Sequence, residues 1–208
     1  HAGREAALWR DAGTGSGETA FGGTSGAAPM VSGAAALLIE SFPKRSPAQI
    51  KAMLMNSAET VVYTNPALLP GQLAPITRIG AGELRVDRAI GLNVVAWNRK
   101  SKSAALSFGA VEVAKKTTLE QTLRVQNLSD VDKSFTITPS FRYADDQANG
   151  AVSVKAPAKV RVRARSHEDI DIKLVIDPAT LPAWTMNGGA NGGNGAAFNG
   201  PEYDGYLV

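Results

Sequence analysis

The hydrophobic pattern of this chain changes its period partway along, and that change limits the folds it can adopt. Residues from about 24 to 91 are rich in Ala, Leu and Met, which favours helices. Residues from about 104 onward alternate between apolar and polar side chains, which is typical of strands. The polar run at 98–103 has no periodicity and lies between the two patterns. We therefore expect two domains, residues 1–98 and residues 99–208.

Two helices are predicted early in the chain. The first runs from about Thr24 to Ser41 and ends at Phe42–Pro43. It carries small or apolar residues on nearly every face, so we expect it to be buried. The second begins with Ser46 as a cap, Pro47 at the first helical position and Gln49 completing a capping box.

The second half of the chain reads as several short strands. Leu119, Leu123 and Val125 share one face, opposite Glu120, Thr122 and Arg124. Similar alternation covers residues 160–163 and 169–176. Short strands at this spacing indicate an all-β sandwich of the immunoglobulin or fibronectin type. Because the last residues resemble a strand cut short, we expect this sandwich to be truncated at its end.

Composition excludes several kinds of protein. The chain has 208 residues and no cysteine, which excludes a disulfide scaffold, a thiolate metal site and a cysteine nucleophile. A net charge of only +3 does not indicate a nucleic-acid partner. No apolar run is long enough to cross a membrane.

The stretch Gly22–Gly33 carries the chemistry expected of a serine nucleophile. A serine hydroxyl becomes reactive when a base removes its proton, and its attack creates an oxyanion that needs fixed donors. Ser25 lies in the first turn of the predicted helix, where its N–H has no intrahelical acceptor and the helix dipole favours negative charge. Pro29 has no N–H, so the Ser25 carbonyl lacks its helical donor and the helix begins loosely.

This stretch resembles the serine motif of the subtilase family. Seven motif positions agree in register, at Gly23, Thr24, Ser25, Ala27, Pro29, Val31 and Gly33. Residues 46–58 are similar to the next helix of the family, and residues 80–89 are similar to its closing turn and helix. More weakly, residues 99–208 are similar to the fibronectin type III-like module of large secreted bacterial subtilases, with 202–206 as its last strand.

The resemblance implies an α/β subtilisin-like domain, of which the C-terminal part is present here. It implies a serine endopeptidase that hydrolyses peptide bonds through an acyl-enzyme, with a Ser-His-Asp triad. Ser25 is then the nucleophile, its N–H belongs to the oxyanion hole, and Thr24 supports that hole. The family order places the Asp, the His and the oxyanion side-chain amide before residue 1. This fragment is therefore expected to be inactive alone, with the missing N-terminal part of the same protein as its partner.

Further expectations follow from the same resemblance. The substrate is a protein or peptide, the protein is extracellular or on the cell surface, and no cofactor is needed. Structural calcium is common in the family but is not locatable in this chain. Two alternatives stay open. One is a catalytically dead homologue, and the other is an adhesion or wall-binding protein that works through the sandwich. Substrate preference, oligomeric state and source are not readable from the sequence.

Other candidate residues have simpler interpretations. His1 is interpreted as a loop residue and not the triad base, and His167 as a solvated turn residue. Arg161, Arg163 and Arg165 form a basic stripe that either binds an anionic polymer or pairs with Glu168, Asp169 and Asp171. We favour the pairing. Residues 187–200 are rich in Gly and Asn but lack a carboxylate, which favours a surface loop over a calcium site.

Overall fold

The computed structural model describes residues 7–10, 18–21, 23–65, 67, 69–181 and 202–208. Its elements in chain order are β1 (Ala7–Arg10), β2 (Glu18–Phe21), α1 (Thr24–Ser41), α2 (Pro47–Asn56), α3 (Ile76–Ile79), α4 (Val86–Ile90), β3 (Val94–Asn98), β4 (Thr117–Asn127), β5 (Lys133–Thr136), β6 (Pro139–Phe141), α5 (Ala144–Asn149), β7 (Val152–Lys155), β8 (Lys159–Val162), β9 (His167–Ile176) and β10 (Gly205–Leu207).

The described residues form two compact units. Unit 1 comprises those within His1–Val62 and Arg78–Leu92, and unit 2 those within Tyr63–Thr77 and Asn93–Val208. Unit 1 therefore holds most of the helical half of the chain, and unit 2 holds most of the strands. The segment 63–77 belongs to unit 2 although its neighbours on both sides along the chain belong to unit 1. The predicted boundary between domains 1–98 and 99–208 stays a prediction.

The two predicted helices of unit 1 are confirmed, α1 with both of its predicted ends and α2 with its predicted start. α1 runs from Thr24 to Ser41, and the Phe42 N–H closes it by donating to the Leu38 carbonyl at 2.8 Å. At the start of α2, the Gln49 N–H donates to Ser46 Oγ at 3.3 Å. In return, the Ser46 N–H donates to Gln49 Oε1 at 2.8 Å, which completes the predicted capping box.

Unit 1 is built around three helices. α1 packs against α2 and α4, and α2 also packs against α4. The apolar side chains buried on these helices are Ala34, Leu38, Ile50, Ala52, Met53, Leu54 and Ala89. β1 and β2 form an antiparallel pair that begins with Ala7 opposite Phe21.

Unit 2 is built from antiparallel strands. Its largest sheet has the order β3-β4-β9-β7, and β5 pairs with β8 and β6 with β10 in two smaller ladders. β4, β8 and β9 contribute the shared apolar core of Val125, Val160, Val162, Ile170 and Ile172. This core explains the alternating pattern of the sequence, because each strand buries one of its two faces. A sandwich of the immunoglobulin or fibronectin type stays a prediction.

Asn127 joins the end of β4 to the end of β8. It is fully buried, and its Nδ2 donates to the carbonyls of Val131 at 2.7 Å, Val162 at 3.2 Å and Arg163 at 3.2 Å. Its Oδ1 accepts from the N–H and the hydroxyl of Ser129 at 3.0 and 2.7 Å. A buried amide satisfied at both ends holds the turn after β4 in one conformation. The sequence indicated that turn but not this side chain's role.

The polar run at residues 98–103 forms a tight turn, not a linker. The Asn98 N–H donates to the Ser103 carbonyl at 2.7 Å, and Asn98 Oδ1 accepts from the N–H groups of Lys100 at 2.9 Å and Ser101 at 2.8 Å. Asn98 is itself buried at the end of β3. Polar residues without periodicity look alike in linkers and in turns, and the domain boundary expected at this run stays a prediction.

Two arginines of the basic stripe, one on β8 and one just after it, form ion pairs, but not with the predicted partners. Arg161 pairs with Asp132 at 2.9 Å, and Arg165 pairs with Asp130. Asp169, a predicted partner, instead binds Arg124 at 2.7 Å. The prediction was wrong because it assumed that β8 and β9 pair as a hairpin. β8 pairs with β5, and the loop before β5 supplies the two aspartates.

Candidate active site

Ser25 lies in the first turn of α1, as predicted. Gly23 precedes the helix with a φ of 90° and a ψ of −173°, a conformation that residues with a side chain avoid. The N–H groups of Gly26 and Ala27 both donate to the Gly23 carbonyl, at 3.0 and 3.1 Å. Thr24 and Ser25 are exposed at this turn, while Gly26 is buried. The local backbone therefore presents the serine hydroxyl at the helix start.

The Ser25 N–H points to no acceptor in the part of the chain that the structure describes. It is one of the orphan donors that every helix start leaves, and the dipole of the eighteen-residue α1 adds partial positive charge there. Together they can stabilise negative charge that develops close to the Ser25 side chain. The supporting role of Thr24 stays a prediction.

Pro29 weakens the first turns of α1 from within. It lies inside the helix and has no N–H to offer the Ser25 carbonyl. One turn later the Ser32 hydroxyl donates to the Ala28 carbonyl at 3.1 Å, a side-chain bond that competes with the backbone pattern. The local departures from helix rules are therefore concentrated around the candidate nucleophile.

Much of the apolar surface of α1 is exposed, which differs from the predicted burial. Only Gly26, Ala34 and Leu38 are buried on this helix, and they lie one or two turns apart along one face. The exposed apolar residues are Met30 (40%), Val31 (46%), Leu37 (52%) and Ile39 (53%). The prediction failed because the described residues of unit 1 cover only the face that meets α2 and α4.

The turn at Gly80–Gly82 closes unit 1, as predicted. Gly80 and Gly82 have φ angles of 60° and 128°, and Gly82 lies against the backbone of Glu59. Glu59 and Glu83 exchange two N–H to carbonyl bonds, each of 2.8 Å. A side chain at Gly82 would collide with the Glu59 carbonyl oxygen. The sequence indicated this turn but not the close approach that requires its second glycine.

Two exposed ion pairs lie around this turn. Arg88 donates to Glu59 Oε2 at 2.9 Å, and the pKa of Glu59 is lowered, first by the Val61 N–H and then by Arg88. Arg85 donates to both oxygens of Asp87 and lowers the pKa of that carboxyl. Arg85 occupies the N-cap position of α4, and Asp87 lies within the first turn of that helix.

Partners for Ser25 are not found among the described residues. His167 is the exposed first residue of β9, opposite Gln126, where a turn was predicted. His1 and residues 187–200 lie outside the described residues. In the same described part of the chain, no cluster of His, Asp and Glu has a metal-binding arrangement, and no helix is long and apolar enough to span a bilayer.

The chain matches the model of the subtilase family over residues 9–129, which is more than half of its length. It is 28% identical to the minor extracellular protease Vpr of Bacillus subtilis over 152 residues, 73% of this chain and 18% of that protein. It is 37% identical to the subtilisin-like protease SBT1.2 of Arabidopsis thaliana over 78 residues, 37% of this chain and 10% of that protein. The chain thus spans less than a fifth of either relative.

A solved structure of a FixG-related protein from Vibrio parahaemolyticus shows 15% identity to this chain. The match covers 42% of this chain and 68% of the FixG-related chain. Its TM-score of 0.27 is too low to indicate a shared fold. The family match includes the whole of α1 and the exposed serine at its start, together with α2, the Gly80–Gly82 turn and α4. The chain therefore belongs to the subtilase family.

Proposed function

We propose that this chain carries the nucleophile of a serine endopeptidase and that Ser25 is that nucleophile. The observation that carries the proposal is the position of Ser25. It is exposed at the first turn of α1, with no acceptor for its N–H among the described residues, inside a stretch that fits the family motif at seven positions. The range of the family match supports it.

The proposed reaction follows from this geometry and from the family. Ser25 Oγ attacks the carbonyl carbon of a peptide bond while a histidine from the upstream part of the protein takes its proton. An upstream aspartate orients that histidine. The Ser25 N–H and an upstream side-chain amide stabilise the oxyanion. The histidine then protonates the leaving amine, and water hydrolyses the acyl-enzyme. These steps use no cofactor.

The exposed apolar residues of α1 support the dependence on an upstream part. We assign Met30, Val31, Leu37 and Ile39, which are 40–53% exposed, to a surface that residues preceding this chain cover in the complete protein. Apolar side chains grouped on one helix usually mark a covered surface. The name of the Bacillus relative contains the word extracellular, which supports a secreted protein whose substrates are proteins or peptides.

The decisive test is covalent labelling of the complete protein with a fluorophosphonate, since only an activated serine reacts. Mass spectrometry should find the label on Ser25, and Ser25→Ala should abolish both labelling and casein hydrolysis. Ser32→Ala is the matched control, because Ser32 is an exposed serine on the same helix whose hydroxyl bonds a backbone carbonyl.

Two results would contradict the proposal. One is a label on another serine with activity retained in Ser25→Ala. The other is a complete protein that folds but neither labels nor hydrolyses casein, which would favour the catalytically dead homologue. The adhesion alternative gains no support from the basic stripe, because Arg161 and Arg165 are ion-paired.

A further inference from the structure

The segment 73–77 belongs to a group of residues in unit 2 that contact one another and that we call the clasp. The clasp consists of residues 73–77, residues 142–143 after β6, and residues 202–206 around the start of β10. Ala74 and Pro75 are buried in it. β10 is itself fixed by antiparallel pairing with β6, from Gly205 opposite Phe141 to Leu207 opposite Pro139. The clasp thus joins three stretches that are far apart in the sequence.

Two carboxylates accept hydrogen bonds in the clasp, and the shorter of these bonds is made by Asp204. Its Oδ2 accepts the N–H of Ile76 at 2.6 Å, while its Oδ1 is buried without a hydrogen-bond partner among the described residues. Nearby, Glu202 Oε2 accepts the hydroxyl of Thr77 at 2.9 Å, but at the surface. An orphaned oxygen on a buried carboxylate is costly when the group is charged, because half of the charge loses its hydration.

Arg142 and Tyr143 hold the other side of the same segment. Arg142 Nε donates to the Ala74 carbonyl at 2.5 Å, and its Nη1 donates to the Tyr206 hydroxyl at 2.6 Å. The Tyr143 hydroxyl donates to the Leu73 carbonyl at 3.0 Å. The Arg142 guanidinium therefore binds both a carbonyl of segment 73–77 and a phenol of β10.

The charged and titratable groups around Asp204 come from two sides of the clasp. Arg142 and Tyr143 face it from the end of β6, and Glu202 faces it from its own segment. Asp146 of α5 acts on Tyr143 and Tyr203, both neighbours of this cluster. The residues of segment 73–77 carry no charged side chain.

We propose that the clasp is an acid-tightened latch, in which protonation of the half-buried Asp204 carboxyl strengthens the attachment of residues 202–206 to segment 73–77. The protonated acid keeps Oδ2 as an acceptor for the Ile76 N–H and removes the charge from the orphaned Oδ1. Segment 73–77 lies on the chain between α2 and α4, which both belong to unit 1, while the segment itself belongs to unit 2. The latch therefore fixes the part of the chain that leaves unit 1 and returns to it. This proposal does not depend on Ser25 chemistry.

The direction of the pH response follows from the burial of Asp204. Burial raises the pKa of Asp204 above its ordinary value, against the opposing effects of the Ile76 N–H and Arg142. An open clasp returns the carboxyl to water and to its ordinary pKa, so the closed clasp binds more protons. Its extra stability is fully present below the ordinary pKa of an aspartate and is lost as pH rises through the raised pKa.

The test is amide hydrogen exchange of the 208-residue chain at about pH 4 and about pH 7. We expect the protection factor of the Ile76 amide, corrected for the intrinsic exchange rate, to be severalfold greater in acid. In Asp204→Asn this difference should vanish, because the amide keeps an acceptor oxygen but does not titrate. Asp132→Asn, on the loop before β5, is the matched control and should keep the full response.

Three outcomes would overturn the proposal of an acid-tightened latch. They are equal Ile76 protection at both pH values in the wild type, an unchanged response in Asp204→Asn, and a response lost equally in Asp132→Asn. If Asp204→Asn does not fold, carbon-13 titration of the Asp204 carboxyl in the wild type decides the question. A pKa at or below the ordinary aspartate value would then refute the proposal.

Discussion

Gly82 occupies a backbone position where a side chain is unfavourable for two reasons. Its φ of 128° lies in a region that only glycine adopts easily, and a Cβ there would collide with the Glu59 carbonyl oxygen. We expect Gly82→Ala to lower the free energy of unfolding of unit 1 by about 2 kcal/mol or more. A urea titration followed by the helical far-UV signal measures this loss.

Gly80→Ala is the matched control for that experiment. Gly80 has a φ of 60° in the same turn, but a Cβ there meets no atom within 4 Å. We expect it to cost only the strain of a left-handed residue, about 1 kcal/mol. Equal losses in the two variants would show that the backbone angle and not the collision with Glu59 makes glycine necessary at position 82.

At the scale of single residues, the sequence predicted what depends on neighbours along the chain. The position of Ser25 at a helix start followed from the motif and from Pro29, and the structure places it there. The roles of Asn127 and Asp204 could not be predicted, because their partners are as far away in sequence as Arg163 and Ile76. Their importance comes from burial, which alternation alone does not assign to a polar residue.

At the scale of elements, the start of α2 offers a quantitative test of the local signals. Ser46→Ala removes the acceptor for the Gln49 N–H and should destabilise unit 1 by about 1 kcal/mol. Ser41→Ala is the control, because its exposed hydroxyl only bonds the Leu37 carbonyl within α1, and we expect a change below about 0.5 kcal/mol. Equal denaturation midpoints for Ser46→Ala and wild type would mean that the capping box does not stabilise the fold.

Elements whose ends carry such signals were predicted well, and elements defined by distant pairing were not. α1 has its predicted bounds and α2 its predicted start, because proline and capping residues mark these positions. Residues 144–149 form α5, a short helix that was not predicted and that Gly150 ends with a φ of 66°. The partner strand of β8 could not be read from alternation, and this error misassigned the ion pairs of Arg161 and Arg165.

At the scale of the whole molecule, the division into units follows packing more than sequence order. Segment 63–77 joins unit 2 because Asp204, Arg142 and Tyr143 bind its backbone. A change of hydrophobic pattern along the chain cannot show that a short segment leaves one unit and packs in another. β3 (Val94–Asn98) comes before the polar run in the sequence, but it pairs with β4, which comes after that run.

The proposed reaction needs a base that takes the proton of Ser25, which leads to a prediction about the molecule as a whole. The pure 208-residue chain should neither hydrolyse casein nor react with a fluorophosphonate, because Ser25 has no base beside it among the described residues. Its exposed α1 residues Met30, Val31, Leu37 and Ile39 should bind a hydrophobic dye. Co-expression with the upstream part should reduce dye binding and restore Ser25 labelling together. Labelling of Ser25 in the isolated chain would instead place the activating base within these 208 residues and overturn the assignment of the triad to the upstream part.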